Sequence, residues 1–372
     1  MTDIEEKIIE RIKEGCFFLE SIPEILRTEI VCLEAVKENS NNISKVPKNI
    51  LNQEMCDIAV LKNPDNIKKI PEQFKKYDMC LKVVKERGLL LQYVPDIYKI
   101  RDLCLKAVKS MGNAIMYVPD EVMDNEICIA AVKCCGRALG NIPREKHDRV
   151  LYIEALKNDG RALGFVNNID MELCDLAVTN NGLALEYVPS ELITQELCIK
   201  AVNNKGTAIK YVPSKYLNYD IYLLAVKNDG LILGEIPKVI VNYKMRLMAV
   251  RQNGMALAMI EKENRTIELC EEAIKQNGLA AKFIPREILT PKMAYDACIN
   301  NIHVYDVLPS DIQKEIDYAL YEHIMVDREF LDEDNKKERF MTQDEEREIK
   351  DEIFNCNLVQ ELDRGIQYTK KK

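Results

Sequence analysis

Residues 173–189 read LCDLAVTNNGLALEYVP, and variants of this phrase recur along most of the chain. Cys174 belongs to a series of equivalent positions that are mostly 24 residues apart, called here the phased site. Its members are Cys32, Cys56, Cys80, Cys104, Cys128, Tyr152 and, after a deletion of two residues, Cys174, Cys198, Tyr222, Arg246 and Cys270. Degenerate units around Ile8 and Ala294 bring the count to thirteen, and such a constant period predicts a repeat architecture.

Each unit is predicted to begin with an amphipathic helix of about 11 residues. Capping residues lie four positions before the phased site: Thr28, Asn52, Asp124, Asp148, Asp170, Thr194, Asn218, Asn242, Thr266 and Thr290. A glycine follows the helix, and we expect it to end the helix in the left-handed conformation. These glycines are Gly88, Gly112, Gly136, Gly160, Gly182, Gly206, Gly230, Gly254 and Gly278.

A second, shorter helix is predicted in the rest of each unit. Ala114, Ile115 and Val118 have the spacing of a helix of two turns or less, partly 3₁₀, that ends before Pro119. Eleven of the thirteen prolines share this position in the unit, which marks the same turn each time. Isolated helices this short are marginal, so stacking of neighbouring units has to stabilise them. The predicted fold is all-α, a right-handed α-solenoid of about thirteen 24-residue units.

The solenoid is predicted to occupy residues 1–312, with a charged helical C-terminal cap or tail at 313–372. Residues 331–352 carry ten acids and five bases, an excess of negative charge in a short segment. Two interpretations stay open for this segment: a solvated cap, or an arm that binds a partner.

The composition describes a folded chain without enzyme signatures. Of 372 residues, 47% are hydrophobic and 30% are charged, and no apolar run reaches the roughly 20 residues of a membrane helix. The N-terminal stretch lacks the apolar core of a secretory signal, so we expect a cytoplasmic protein. Three histidines, no tryptophan and no nucleotide-binding or hydrolase motif predict a non-enzyme that needs no cofactor.

The cysteines are predicted to be buried free thiols. Tyrosine replaces cysteine at Tyr152 and Tyr222, which a packing position tolerates and a metal ligand does not. Phased cysteines of neighbouring units should lie about 8–10 Å apart, too far for a disulfide. Cys134, Cys135 and His147 form the one other cluster, and their number and spacing do not suit a metal. Free thiols fit a reducing compartment.

The motif L-C-x-x-A-V-x-x-x-G-x-A-L-x-Y-V-P, nearly complete in residues 173–189, resembles the repeat family catalogued as domain of unknown function 4116. The resemblance covers roughly residues 10 to 312. Members of that family occur in effector-like proteins of host-associated bacteria and in viral or mobile-element genomes. The resemblance therefore implies protein interaction rather than metabolism, and it supplies no catalytic residue.

Two columns of side chains are candidate binding residues. The lysine column lies five residues after the phased site and contains Lys37, Lys85, Lys109, Lys133, Lys157, Lys227, Arg251 and Lys275. The aromatic column lies two residues before the proline position and contains Tyr93, Tyr117, Phe165, Tyr187, Tyr211 and Phe283. Together they suit a single-stranded nucleic acid. Cations in the last helical turn also complement the helix dipole, and tyrosines also pack between repeats, so both interpretations stay open.

Two irregular units are candidate hinges or contact points: the short unit where Asn167 replaces proline, and the unit of Arg246, where Glu261 does. The expected function is binding of a protein partner as an inhibitor, effector or scaffold. The net charge of −9 suits a basic partner such as a defence nuclease. The alternative is an RNA-binding solenoid that uses the lysine and aromatic columns. Membrane binding is not expected.

Overall fold

A computed structural model of the chain describes residues 2–16 and 18–316, and within these residues it contains α-helices and 3₁₀ helices but no strand. None of the described helices has the length and apolar character needed to cross a membrane. The chain divides into two compact units, Met1–Leu217 and Asn218–Lys372. Residues 310–316 are helical, and the rest of the predicted cap lies outside the described residues. The proposed boundary at residue 312 stays a prediction.

The first compact unit contains nine α-helices in its described part. They are α1 (Asp3–Lys13), α2 (Glu29–Glu38), α3 (Gln53–Lys62), α4 (Tyr77–Glu86), α5 (Arg101–Ser110), α6 (Asn125–Cys134), α7 (Arg149–Asn158), α8 (Met171–Asn180) and α9 (Gln195–Asn204). Six-residue 3₁₀ helices follow α2 to α9 at Ser40–Lys45, Pro64–Lys69, Gly88–Tyr93, Gly112–Tyr117, Gly136–Asn141, Gly160–Phe165, Gly182–Tyr187 and Gly206–Tyr211. Short 3₁₀ turns lie at Leu19–Ser21, Glu24–Leu26, Glu72–Phe74, Asp96–Tyr98, Arg144–Lys146 and Ser214–Tyr216. Each α-helix packs against the next one along the chain.

The second compact unit repeats this plan. Its described α-helices are α10 (Tyr219–Asn228), α11 (Tyr243–Gln252), α12 (Ile267–Gln276) and α13 (Pro291–Asn300). The 3₁₀ helices that follow them are Gly230–Glu235, Gly254–Met259, Gly278–Phe283 and Ile302–Val307, with a short turn at Lys262–Asn264. Here too each α-helix packs against the next. The prediction of a first helix followed by a shorter one is confirmed, and the shorter one is a 3₁₀ helix.

Side-chain capping explains where the α-helices begin. Nine of the ten predicted caps accept a hydrogen bond from the backbone N–H three residues later, as Asp124 does from Ile127 at 2.9 Å. Thr28 is the exception, because its hydroxyl donates instead to a carboxylate oxygen of Glu5 at 2.8 Å. That bond joins α2 to α1, so the threonine connects two units rather than capping its own helix.

The core is the set of apolar positions that the sequence period predicted. In α6, Ile127, Cys128, Ala131 and Val132 are buried, and the matching positions of α2–α5, α7–α10 and α12 are buried in the same way, whereas Arg246 in α11 is only partly buried. Tyr152 and Tyr222, which replace cysteine, are each 9% exposed. The phased site therefore accepts a small thiol in most units and a tyrosine ring in two, as a packing position does.

The recurring glycines have a different role from the predicted one. Among the described glycines only Gly15 has a positive φ, so Gly160 and its equivalents do not end the helix in the left-handed conformation. A Cβ atom on Gly160 would lie far inside contact distance of the backbone oxygen of Ala177 in the next α-helix. The same collision with the next helix arises at Gly88, Gly112, Gly136, Gly182, Gly230, Gly254 and Gly278. Glycine is therefore required by the close approach of the next unit's backbone.

An amide clamp, which the sequence analysis missed, also joins consecutive units. Its members are the last α-helical residues Asn158, Asn180, Asn204, Gln252 and Gln276. Asn180 accepts a hydrogen bond from the N–H of Gly160 at 2.7 Å and donates one to the carbonyl of Lys157 at 2.8 Å. Each clamp thus satisfies an N–H at the start of the preceding 3₁₀ helix, which has no helical partner of its own.

The two irregular units differ in how they replace the proline turn. In the short unit Asn168 has a φ of 50°, and the backbone N–H of Asn167 donates to the hydroxyl of Tyr152 at 3.3 Å. In the unit of Arg246, Glu261 has a φ of −61°, close to the −58° of Pro213, and the short 3₁₀ turn Lys262–Asn264 forms after it as Ser214–Tyr216 forms after Pro213. Losing the proline therefore changes the local turn only where two residues are also missing.

Candidate functional site

The lysine column lies on the last turn of the α-helices, and the cationic side chains are exposed. All eight predicted members lie among the described residues: Lys37, Lys85, Lys109, Lys133, Lys157, Lys227, Arg251 and Lys275. All but Lys37 are exposed as whole residues, and the Lys37 side chain itself is 41% exposed. Their position at helix C-termini is the one where a cation complements the helix dipole.

Carboxylates from the α-helices interrupt this column. Glu154 lies between Lys157, at 2.9 Å, and Lys133 of the preceding unit, at 3.5 Å. The hydrogen bond from Lys157 is the largest influence on the pKa of Glu154 and lowers it, and the charge of Lys133 acts in the same direction. The column is therefore, over these units, an alternation of both charges rather than a continuous basic ridge.

The same arrangement recurs in the second compact unit. Glu272 accepts from Arg251 at 2.7 Å and from Lys275 at 3.0 Å. The hydrogen bond from Arg251, followed by that from Lys275, lowers the pKa of Glu272. In the first compact unit, Lys109 also approaches Glu126 of the next α-helix at 4.0 Å. Exposed pairs like these contribute little stability, but they reduce the positive potential available to a phosphate.

The aromatic column lies at the ends of the 3₁₀ helices. Tyr93, Tyr117, Tyr187 and Tyr211 are half-buried, whereas Phe165 is 39% exposed. Aromatic rings at this position rest on the preceding 3₁₀ helix: a Cβ on Gly140 would lie 2.7 Å from the ring of Phe165, and one on Gly164 would lie 2.9 Å from that of Tyr187. Packing between repeats thus accounts for part of the aromatic column.

The two columns make their contacts in different layers. Ion pairs of the lysine column connect α-helix to α-helix, whereas ring contacts of the aromatic column connect 3₁₀ helix to 3₁₀ helix. The surface that the six-residue 3₁₀ helices form within each compact unit is called here the 3₁₀ strip of that unit. Besides the aromatic column, these strips present large apolar side chains: Met116, 54% exposed, in the first compact unit, and Met259, 48%, and Leu231, 41%, in the second.

Two arginines on the 3₁₀ strip were missed by the sequence analysis. Arg137 and Arg161 occupy the same position in consecutive units, one residue after the recurring glycine. Arg161 donates to the hydroxyl of Tyr187 at 3.1 Å, and its guanidinium lies 5.9 Å from the centre of that ring. The identical pentapeptides GRALG at 136–140 and 160–164 were the available signal, since no other unit repeats its neighbour this closely.

A small polar cluster marks the short unit. His147 lies with its Nε2 3.0 Å from the carbonyl of Ile142 and its Nδ1 3.5 Å from the hydroxyl of Tyr152. The Tyr152 hydroxyl also accepts from the N–H of Asn167. The cluster therefore connects the bulky residue at the phased site to the turn that lacks proline.

The phased cysteines are confirmed as buried packing residues. All eight are at most 1% exposed, and burial raises the pKa of Cys104, Cys174 and Cys198 to about 11 and that of Cys56 to about 12. Every cysteine within residues 2–16 and 18–316 is a free thiol. Over the same residues no group of three histidine, cysteine or acidic side chains is arranged to hold a metal ion.

Alkylation should separate these thiols from the exposed ones. At pH 8 a pKa of about 11 leaves roughly one thiolate in a thousand, against roughly one in four for an ordinary thiol. We expect iodoacetamide to modify Cys16 and Cys134 within minutes and to spare Cys104 and Cys198, as measured by peptide mass spectrometry. In guanidinium all four should react, and rapid modification of Cys104 in the folded protein would contradict its burial.

Comparison with known proteins identifies the repeats. Five matches to the family described as domain of unknown function (DUF4116) cover residues 76–123, 100–146, 148–193, 170–218 and 194–241. No curated protein and no solved structure matches the chain. The resemblance expected from residues 173–189 is therefore confirmed, for the tandem units from residue 76 to residue 241.

Proposed function

We propose, from the premise that residues 76–241 are tandem DUF4116 repeats, that the chain is a right-handed α-solenoid of about thirteen 24-residue units. Support comes from the order of contacts inside each compact unit, where every helix packs against its sequence neighbour. A solenoid grows by this kind of nearest-neighbour packing.

Small-angle X-ray scattering of the full chain tests this architecture. Thirteen units spaced at about 8–10 Å give a length of about 100–130 Å and a radius of gyration of about 30 Å. A compact chain of 372 residues has a radius of gyration of about 21 Å. A measured value near 21 Å would exclude the solenoid.

We further propose that the chain is a non-enzymatic binding protein whose partner is another protein, held along the 3₁₀ strip. The observation that carries this proposal is the contrast between the two surfaces. The 3₁₀ strip exposes Met116 and Phe165 in the first compact unit and Met259 in the second, whereas glutamates interrupt the lysine column in each. Exposed aromatic and methionine side chains are typical of protein interfaces.

In this role the chain acts as an inhibitor, effector or scaffold, in a reducing compartment such as the cytoplasm, where its free thiols persist. The net charge of −9 favours a basic partner, and a host defence nuclease is one such target. The resemblance to a family found in effectors and mobile elements points the same way. RNA binding through the lysine column is the second candidate, favoured by the exposure of Lys85, Lys133 and Lys227.

Capture from a lysate of the native host, with and without nuclease, distinguishes these candidates when matched variants are compared. We expect one protein to be retained after nuclease treatment and to fall at least tenfold in the variant Met116→Glu. The triple variant Lys85→Glu/Lys109→Glu/Lys133→Glu should retain it. Enrichment that disappears with nuclease, and is lost in the triple variant, would establish the RNA-binding alternative instead.

A further inference from the structure

Two consecutive repeats in the first compact unit carry an arginine at the same position, and the surroundings of the two arginines can be compared. Arg137 and Arg161 start the identical segments RALG on neighbouring 3₁₀ helices. For Arg161, the residues to compare are Glu186 and Tyr187 at the end of the next unit's 3₁₀ helix. For Arg137, the residues at the same two positions are Gly164 and Phe165. The two arginines differ in the hydrogen-bond and ion-pair partners that the next 3₁₀ helix provides.

Arg161 is supplied with polar partners by the chain itself. Its guanidinium donates to the hydroxyl of Tyr187 at 3.1 Å and lies 3.6 Å from the carboxylate of Glu186. Its side chain is 35% exposed, because the next unit covers it. An arginine held between a carboxylate and an aromatic ring is a common protein contact.

Arg137 has the equivalent position without those partners. The residues that correspond to Glu186 and Tyr187 are Gly164 and Phe165, which have neither a carboxylate nor a hydroxyl. Within the described part of the chain no acidic side chain lies within 4.0 Å of Arg137. Arg137, Gly140, Asn141, Gly164 and Phe165 are all exposed, and they define the Arg137 patch.

The shape of the patch follows from its two glycines. The Phe165 ring lies directly on Gly140, and Gly164 places no side chain beside it. Other units carry larger residues at the glycine position, for example Met116, Glu186 and Lys210. The ring of Phe165 is therefore accessible, at the register position that Tyr187 has beside Arg161. By this equivalence the patch offers an apolar surface together with a guanidinium that has no ion-pair partner among the described residues.

We infer that the Arg137 patch binds an aspartate or glutamate side chain of the protein partner, with an adjacent apolar residue against the ring of Phe165. This inference rests on the proposed function and names the chemistry of the segment bound. The carboxylate takes the place that Glu186 has beside Arg161. A protein carboxylate fits better than an RNA strand, because Arg161, the equivalent cation of the next unit, is already paired with Glu186 and offers no free charge to a following phosphate.

Selection of random dodecapeptides displayed on phage against the full-length chain tests the inference. Enriched peptides should carry an acidic residue next to an aromatic or aliphatic one. Their fluorescein-labelled versions should bind at least tenfold more weakly when the acid is changed to its amide, or when the chain carries Arg137→Gln. Arg137→Lys should recover only part of the affinity, because lysine lacks the bidentate geometry.

Gly164→Glu provides a second test that leaves Arg137 in place. Its carboxylate would occupy Arg137 as Glu186 occupies Arg161, so peptide binding should fall about tenfold, whereas Gly164→Gln should fall less. Equal circular dichroism midpoints for the two variants would show that the charge is responsible. Selected peptides without acids, or peptides that bind Arg137→Gln unchanged, would overturn the inference, as would a labelled oligouridine that binds only when Arg137 is present.

Failure of this inference differs from failure of the proposed function. If the lysate partner is captured equally by the unmodified chain and by Arg137→Gln, the Arg137 patch is excluded while the protein-binding role stands. If the unmodified chain retains no protein after nuclease treatment, the proposed function itself is excluded.

Discussion

Replacing Gly230 with alanine should destabilise the protein by about 3 kcal/mol, which lowers the thermal midpoint by roughly 6 °C. A Cβ at this position would collide with the backbone oxygen of Ala249 in α11. A backbone carbonyl inside a helix cannot move aside without displacing the helix, so the two units would separate locally. Thermal unfolding followed by circular dichroism measures the shift.

Gly234→Ala is the matched control, because both glycines lie in the 3₁₀ helix Gly230–Glu235. Its Cβ would meet the sulfur of Met259 at 2.8 Å, and a thioether at the end of a flexible side chain can turn away. We expect a loss below about 1 kcal/mol. Equal effects of the two alanines would show that helix approach is not the reason for the glycine at position 230.

Replacing Asn180 with leucine should cost about 2 kcal/mol. The substitution removes both hydrogen bonds of the amide clamp and leaves the N–H of Gly160, a buried residue, without its partner. Asn180→Gln should retain most of the stability, since Gln252 and Gln276 perform the same role in other units. Urea unfolding of the three proteins measures the differences in midpoint.

A substitution that introduces the clamp amide is available at Cys134, two units before Asn180. The N–H of Gly112 donates to the sulfur of Cys134 at 3.2 Å, and a thiol is a weak acceptor. Cys134→Asn should therefore stabilise the protein by about 0.5–1 kcal/mol. A loss of stability in Cys134→Asn together with no effect of Asn180→Leu would show that the clamp is incidental.

Local features of the fold were predictable from the sequence because they depend on residues within one unit. The spacing of Ile127, Cys128, Ala131 and Val132 defines one helical face, and that face is buried. Asp124 is a good N-cap on its own, and it caps α6. Thr28 was predicted wrongly because Glu5, a residue of another unit, competes for its hydroxyl.

The candidate binding residues were predicted as columns, but their surroundings were not. Periodicity places Lys133 and Lys157 in line, yet it does not reveal that Glu154 lies between them. Arg161 and Glu186 are separated by 25 residues, so a reading of one unit at a time does not pair them. The difference between Arg137 and Arg161 appears only when the next unit is placed against each.

The sequence by itself determined the repeat, the length of its helices, most of their caps and the residues of the core, since each follows from periodicity within a few helical turns. Only the tertiary structure decided the role of the recurring glycines, the amide clamp and the partners of the charged columns. The physical reason is the same for all three. Each depends on how closely the backbone of one unit approaches the side chains of the next, and that distance is set by packing.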